Sequence, residues 1–434
     1  MNVIFFLLIV IAFGVAAWRQ IGWVPAKPDD VAPMQALTDG LLKAAENSVT
    51  LAIGLVGVMA LFLGLMKVAE QGGLLAVVAR VVRPLMVRLF PEVPADHPAM
   101  GAMIMNIAAN VLGLGNAATP FGIRAMQELD RLNPVKGTAT NAMVMFLAIN
   151  TSSVTILPTG VIALRAAAGS SDPAGVLPTT LFATILSTAA GIVAVLLYQR
   201  WTPAPRPGGA AAATAASSPA SGEPAAETLP PEAGQGYPAW VSWLALLAVV
   251  AIVPLTVVVG GAISVWIIPV LIVLLLGYGF ARRVPVYECF VEGAKDGFTI
   301  AVRIIPYLVA VLVAVAMFRD SGALDLLIAP LGALTAHVGV PTEGLIMTLL
   351  RSLSGSGSYA YLAAVIQDPK VGPDSYTGYL VSTIMGSTET TFYVLVVYCG
   401  AVGVKRMRHA LAAGITADIA GLIGAVIACE YLYG

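Results

Sequence analysis

Two polar, glycine-rich stretches interrupt strongly apolar sequence, GLGNAATP at 113–120 and SLSGSGS at 352–358. The first holds Gly115, Asn116 and Thr119, with Asn110 three residues ahead of it. The second sets Ser354, Ser356 and Ser358 directly after Arg351. Glycine lets a chain leave helical geometry, while amides and hydroxyls can hold either a polar solute or the backbone groups the break sets free. Two further clusters, NTSSVT at 150–155 and GSTETT at 386–391, place Asn150, Ser152 and Ser153 opposite Ser387, Thr388, Glu389 and Thr390 in otherwise apolar windows. An arginine or carboxylate at membrane depth is expensive and faces a cavity, a ligand or a partner. Arg351 can therefore attract an anionic or polar group, and Glu389 can accept hydrogen bonds or carry a coupled proton. The structural alternative is a static Arg351–Glu389 pair, with the asparagines and serines only capping the breaks. Asp418 and Arg303 are weaker candidates and read first as interior structural partners.

Composition says where this chemistry sits. Of 434 residues, 58% are hydrophobic and 11% charged, against about 25% charged in an average soluble domain. Residues 237–281 carry no Asp, Glu, Lys, Arg or His over 45 positions, enough for two spans of roughly 20 residues each. The net charge of −1 leaves no footprint for nucleic acid. Cys289, Cys399 and Cys429 are scattered, and His97, His337 and His409 are isolated, so neither a disulfide framework nor a metal site is expected. No Walker, zincin, dinucleotide or GxSxG pattern occurs, and no cofactor or enzyme activity is expected.

The elements that must position these residues fall into two membrane halves, 1–199 and 237–434. They are joined by the Pro/Ala/Ser/Gly-rich segment 200–236, which has too few bulky apolar residues to fold. Full spans are expected near 2–18, 48–68, 137–163 and 174–198, then near 237–258, 261–281, 296–318, 376–402 and 408–432, about nine in all. The segments 99–132 and 340–366 read as re-entrant hairpins, and Pro120 suits the first turn of the helix after the first break. With the N-terminus cytoplasmic and the C-terminus outside, 15 of the 23 Lys and Arg fall inside and six outside, as the positive-inside rule requires. AENSVTLA at 45–52 answers AKDGFTIA at 294–301, and the polar clusters recur in the same order. One extra span before the second half inverts its entry into the bilayer. The expected fold is thus an all-α polytopic membrane protein of two inverted repeats with paired re-entrant hairpins.

NVLGLGNAATPFGIRAMQEL at 110–129 resembles the signature of spore maturation protein A. GAKDGFTIAVRIIPYLVAVLVAVAMFRDSGALD at 293–325, RSLSGSGS at 351–358 and TETTFYVLVVYCGAVGVKRMRHAL at 388–411 resemble spore maturation protein B. The chain is similar to a fusion of the two, within the nucleoside recognition, or Gate, group that also includes concentrative nucleoside transporters and the membrane part of ferrous iron transporters. The resemblance implies paired hairpins moving a small solute, and a link to dehydration of the spore core. The breaks lack cysteines, against thiolate-type iron transport, and the first break lacks an acidic residue.

The expected function is an inner-membrane transporter or channel-like permease for a small polar solute, bound at the midplane between the hairpins. The alternative is a non-transporting scaffold or assembly factor for envelope or spore maturation. The expected partners are the lipid bilayer and the solute, with no nucleic acid; a homo-oligomer is left open.

Overall fold

The computed structural model describes residues 2–25, 30–113, 115–152, 155–202, 237–238, 240–241, 243–245, 247–248, 251, 261–323, 326, 335 and 338–434. The expected linker and most of the expected 237–258 span lie outside the described residues. Regular structure among the described residues is helical: α1 Asn2–Ile21, α2 Pro33–Gln71, α3 Leu74–Leu89, α4 Pro98–Val111, α5 Gly115–Arg131, α6 Asn141–Ser152, α7 Thr159–Ala167 and α8 Val176–Tyr198 belong to the first half. The second half supplies α9 Gly261–Ala281, α10 Val286–Asp320, α11 Thr342–Leu353, α12 Gly355–Gln367, α13 Tyr376–Ser387, α14 Thr391–Gly400 and α15 Ala410–Tyr433.

The breaks follow local chemistry. Gly73, at φ +82°, turns the chain between α2 and α3, whose axes bend by 70°. Gly113, at φ +74°, ends the first arm of the 98–131 hairpin. An added side chain there would meet the Leu157 carbonyl at 2.7 Å, so the position demands glycine for space as well as conformation. Helix α5 starts at Gly115, so Pro120 sits in its second turn and not its first. Proline brings no N–H, so the carbonyl four residues earlier loses its helical donor. In the second hairpin Ser354 is extended and its hydroxyl accepts from the Gly357 N–H at 3.0 Å, opening α12 as an N-cap.

The expected full span at 137–163 is instead the broken pair α6 and α7, and that at 376–402 is interrupted at 388–390. Each polar cluster marks its own break, since Ser, Thr and Asn offer the backbone partners other than the helix. Among the described residues, three helical segments are long and apolar enough to cross a membrane, namely Val176–Tyr198, Tyr376–Gly400 and Ala410–Tyr433. A fourth is added if the bent 59–89 pair counts as one span. Nine spans are therefore not reproduced by length and composition.

The closest helix pairs couple the two halves: α2 packs along α10, and α8 along α15. The first pair crosses where an added Cβ on Gly293 would come within 3.0 Å of the Gly64 Cα, the small-residue approach that membrane helices use. Cross-pairs correspond too, α6 against α15 and α13 against α8. One apolar core joins Met100, Met143 and Phe146 to Leu395 and Tyr398, and another joins Ile162 and Leu164 to Leu362 and Leu380, so each draws on both halves. Helix α15 shows the division of faces. Leu411, Ile415, Ile419, Ile423 and Ile427 are exposed at four-residue spacing, while Ala413, Gly414, Ala417, Asp418 and Gly421 are buried.

Candidate binding site at the helix breaks

The two helix breaks meet end to end. The Glu389 N–H donates to the Thr151 carbonyl at 2.8 Å, so one break satisfies a backbone group freed by the other. Ile156 ties the first broken span to the neighbouring hairpin by donating to the Val111 carbonyl at 3.1 Å. Asn110 Nδ2 donates to Asn150 Oδ1 at 3.0 Å, and Asn150 Nδ2 donates to the Phe146 carbonyl at 2.9 Å. Arg351, in the last turn of α11, is 7% exposed. Its Nη2 donates to the Thr388 carbonyl and lies 3.5 Å from Glu389 Oε2. The Glu389 side chain is 41% exposed.

A cleft of about 150 Å³ opens between these elements. Asn110 and Gly113 line it from the first hairpin, Thr155, Leu157, Pro158, Thr159, Gly160 and Val161 from the first broken span, Arg351 and Tyr359 from the second hairpin, and Met385, Gly386 and Glu389 from the second broken span. It therefore holds an amide donor, a guanidinium and a carboxylate against an apolar and backbone wall.

Spore maturation protein A of Bacillus subtilis (strain 168) is 44% identical to this chain over 160 residues, which are 37% of this chain and 82% of that protein. The chain belongs to the spore maturation protein A and B family. Spore maturation protein B of the same organism is likewise 44% identical, over 172 residues that are 40% of this chain and 96% of that protein. Residues 52–168 match the Gate family model, described as nucleoside recognition. The crystal structure of the Alcanivorax borkumensis YdaH transporter aligns over 98% of this chain and 97% of its own at 15% identity, with a TM-score of 0.37, too low to support a shared fold. With its apolar helices, this family member is a multi-pass helical membrane protein.

Not every residue expected at the site reaches the cleft. Asn110, Arg351 and Glu389 do, and Asn150 stands one hydrogen bond behind. Gly115 and Asn116 lie in the first turn of α5, their side chains outside the described residues, as is Ser153 altogether. Thr119 bonds the Tyr398 hydroxyl, which Asn106 Nδ2 also approaches at 3.3 Å. Ser152 donates to the Ala148 and Ile149 carbonyls, Ser358 to those of Ser354 and Gly355, and Ser387 to that of Ile384. These hydroxyls serve their own helices. Ser354 is the α12 cap, Ser356 is exposed, and Thr388 and Thr390 are buried. Thr388 contributes its carbonyl to Arg351. Thr390 packs where an added Cβ on Gly355 would lie 3.0 Å from its Oγ1.

Tyr359 and Thr159 line the cleft without having been singled out. Tyr359 directly follows the SGSGS run, and its hydroxyl donates to the Gly160 carbonyl at 3.0 Å. Arg165, which follows the expected 137–163 span, is completely buried. It donates to the Pro373 carbonyl at 2.6 Å and to Asp374 Oδ1, the Ser170 hydroxyl and the Asp172 carbonyl at 3.2 Å each. Its guanidinium sits 4.0 Å from the centroid of the Tyr379 ring, itself stacked on Tyr433 at 3.6 Å. Burial alone would raise the Asp374 carboxyl, but hydrogen bonds from Ser170 and Ser171 and the Arg165 charge hold it below the usual carboxylate range.

Proposed function

We propose that this chain is a transporter or channel-like permease of the inner membrane that moves a small polar solute through the cleft at the helix breaks. One observation carries the reading: both broken spans and both hairpins converge on one cleft that holds Arg351 and Glu389. Irregular backbone at membrane depth is tolerated where it lines a cavity, and secondary transporters place their sites at such convergences. In this reading Arg351 receives the anionic or acceptor end of the solute, Glu389 its donor end, and Asn110 fixes orientation. The matched pairings of α2 with α10 and α8 with α15, and of α6 with α15 and α13 with α8, support two repeats inverted in the bilayer. The cation distribution supports a cytoplasmic N-terminus and an outer C-terminus. A dry cavity of about 150 Å³ is known to take a benzene-sized guest, so the cleft fits a solute of a few heavy atoms better than a nucleoside.

The test is uptake of labelled alanine, lactate, succinate and uridine into proteoliposomes. The small solutes are expected to enter and uridine to be excluded, with Arg351→Ala and Glu389→Gln reducing uptake by about tenfold or more (roughly 1.4 kcal/mol). Equal flux in wild type and both variants would remove the proposed roles. A second reading, a non-transporting scaffold for envelope or spore maturation, draws on the names of the relatives. Absence of flux for every solute, in a protein that retains its fold, would favour it.

A further inference from the structure

Asp418 is the second carboxylate near Arg351, and it lies off the cleft. It is 8% exposed, in the middle of the small-residue face of α15. Thr391 Oγ1 donates to its Oδ1 and Oδ2 at 3.0 and 2.8 Å, and Ser352 Oγ donates to its Oδ2 at 2.7 Å. One carboxylate thus ties together the second hairpin, the start of α14 and α15. A void of about 10 Å³ is lined by Asp418 and Arg351 together with Ser387 and Thr388, close to the least space that holds one water. Arg351 therefore faces Glu389 on its cleft side and Asp418 on its inner side.

Glu389 is half-exposed in the cleft, so the buried carboxylate of this group is Asp418. Its direct partners are two neutral hydroxyls, and among the described residues no cation forms an ion pair with it. The other elements packed on α15 supply no cation: α8 brings the Ser187 hydroxyl, which donates to the Ala417 carbonyl at 2.8 Å, α6 brings Thr151, and α13 brings Ser387 and Thr388. A net charge buried in low dielectric is neutralised by a partner or by a proton. We propose that Asp418 is a proton-binding site, loaded from the cleft past Arg351, whose protonation weakens the Ser352–Asp418–Thr391 tether that holds the second hairpin against α15. Both hydroxyls donate to the ionised carboxylate, so taking up a proton forfeits charge-assisted hydrogen bonds and frees the hairpin. That this couples protons to solute movement rests on the permease reading.

The deciding measurement is the pH-dependent infrared difference spectrum of the full-length protein in lipid, which needs no transported solute. Lowering the pH from about 8 to about 5 should bring up a carboxylic-acid C=O component in wild type and in Glu389→Gln that Asp418→Asn lacks, read in the wild-type-minus-variant difference because ordinary Glu side chains begin to protonate near pH 5. A wild-type spectrum that matches that of Asp418→Asn at every pH overturns the proposal. Thr391→Val and Ser352→Ala guard against an Asp418→Asn protein that fails to fold. Each removes a donor to the ionised form and should move the midpoint of the band up by about one pH unit, and an unmoved midpoint in both also overturns the assignment. Loss of flux across the solute panel with this titration intact would remove the permease reading alone.

Discussion

Arg165 and Arg351 are both buried arginines beside an acidic residue, yet they are held in opposite ways. Arg165 donates to four groups within 3.2 Å, covers an aromatic ring and borders none of the cavities around the breaks. It closes the 165–175 turn of one half onto the 373–382 segment of the other. Arg351 bonds one carbonyl, stands 3.5 Å from a half-exposed glutamate and borders both the cleft and the inner void. A buried guanidinium bonded at both terminal nitrogens is structural; one bonded at a single terminal nitrogen beside an opening can bind something else.

The comparison breaks most visibly at Arg165. Arg165→Ala strands the Pro373 carbonyl and uncovers the Tyr379 ring, while Asp374 keeps its Ser170 and Ser171 donors, and should cost about 3 kcal/mol of stability, read as a large fall in thermal unfolding temperature in detergent. A loss no greater than that of an exposed substitution would show that the latch is ornamental. Arg351→Ala should reverse the pattern, with flux down tenfold or more and stability lowered by only about 1–2 kcal/mol. Equal stability losses in the two variants would erase the distinction.

Acid sharpens it next. His409, buried at the mouth of α15 beside Arg408, is pushed down to about 4 by burial first and by Arg408 second. The unfolded chain takes up a proton below about 6.5 while the folded one does not, so stability should be complete above 6.5 and fall, by about 3 kcal/mol, between 6.5 and 4. Asp374, held low, should add its own loss only as pH falls below the ordinary carboxylate range. His409→Gln should flatten the first of these steps in an unfolding-versus-pH series and leave the second. The smallest effect belongs to Ser356→Ala, an exposed position on α12, which should shift stability by under about 0.5 kcal/mol and leave flux unchanged. A large loss of flux there would return the serine run to the site.

Much of this was legible in sequence because the bilayer is a severe solvent. Gly113, Ser354 and the polar clusters at 150 and 387 are placed as breaks by the same residues that make helix difficult there. Arg351 and Glu389 stand out because charge is so costly in those windows. The serines misled, since hydroxyls inside helices bond their own carbonyls, and a run of serines looks the same in sequence whether it binds a ligand or caps a helix. Spans at 137–163 and 376–402 read as continuous because hydropathy averages over a break of a few residues. Arg165 was invisible because its partners, Pro373 and Asp374, lie some 208 residues away in the chain, and only packing shows that its loop is covered.

The central claim is that the cleft at the breaks is reached by water from one side of the membrane. Thr159→Cys, at a cleft-lining position given no contact with the solute, treated in sealed proteoliposomes with a membrane-impermeant thiol reagent, tests this directly, because the native Cys289, Cys399 and Cys429 are all buried. The account predicts labelling from one face of the vesicle and protection by an excess of a transported solute. Labelling only after the membrane is dissolved would contradict it.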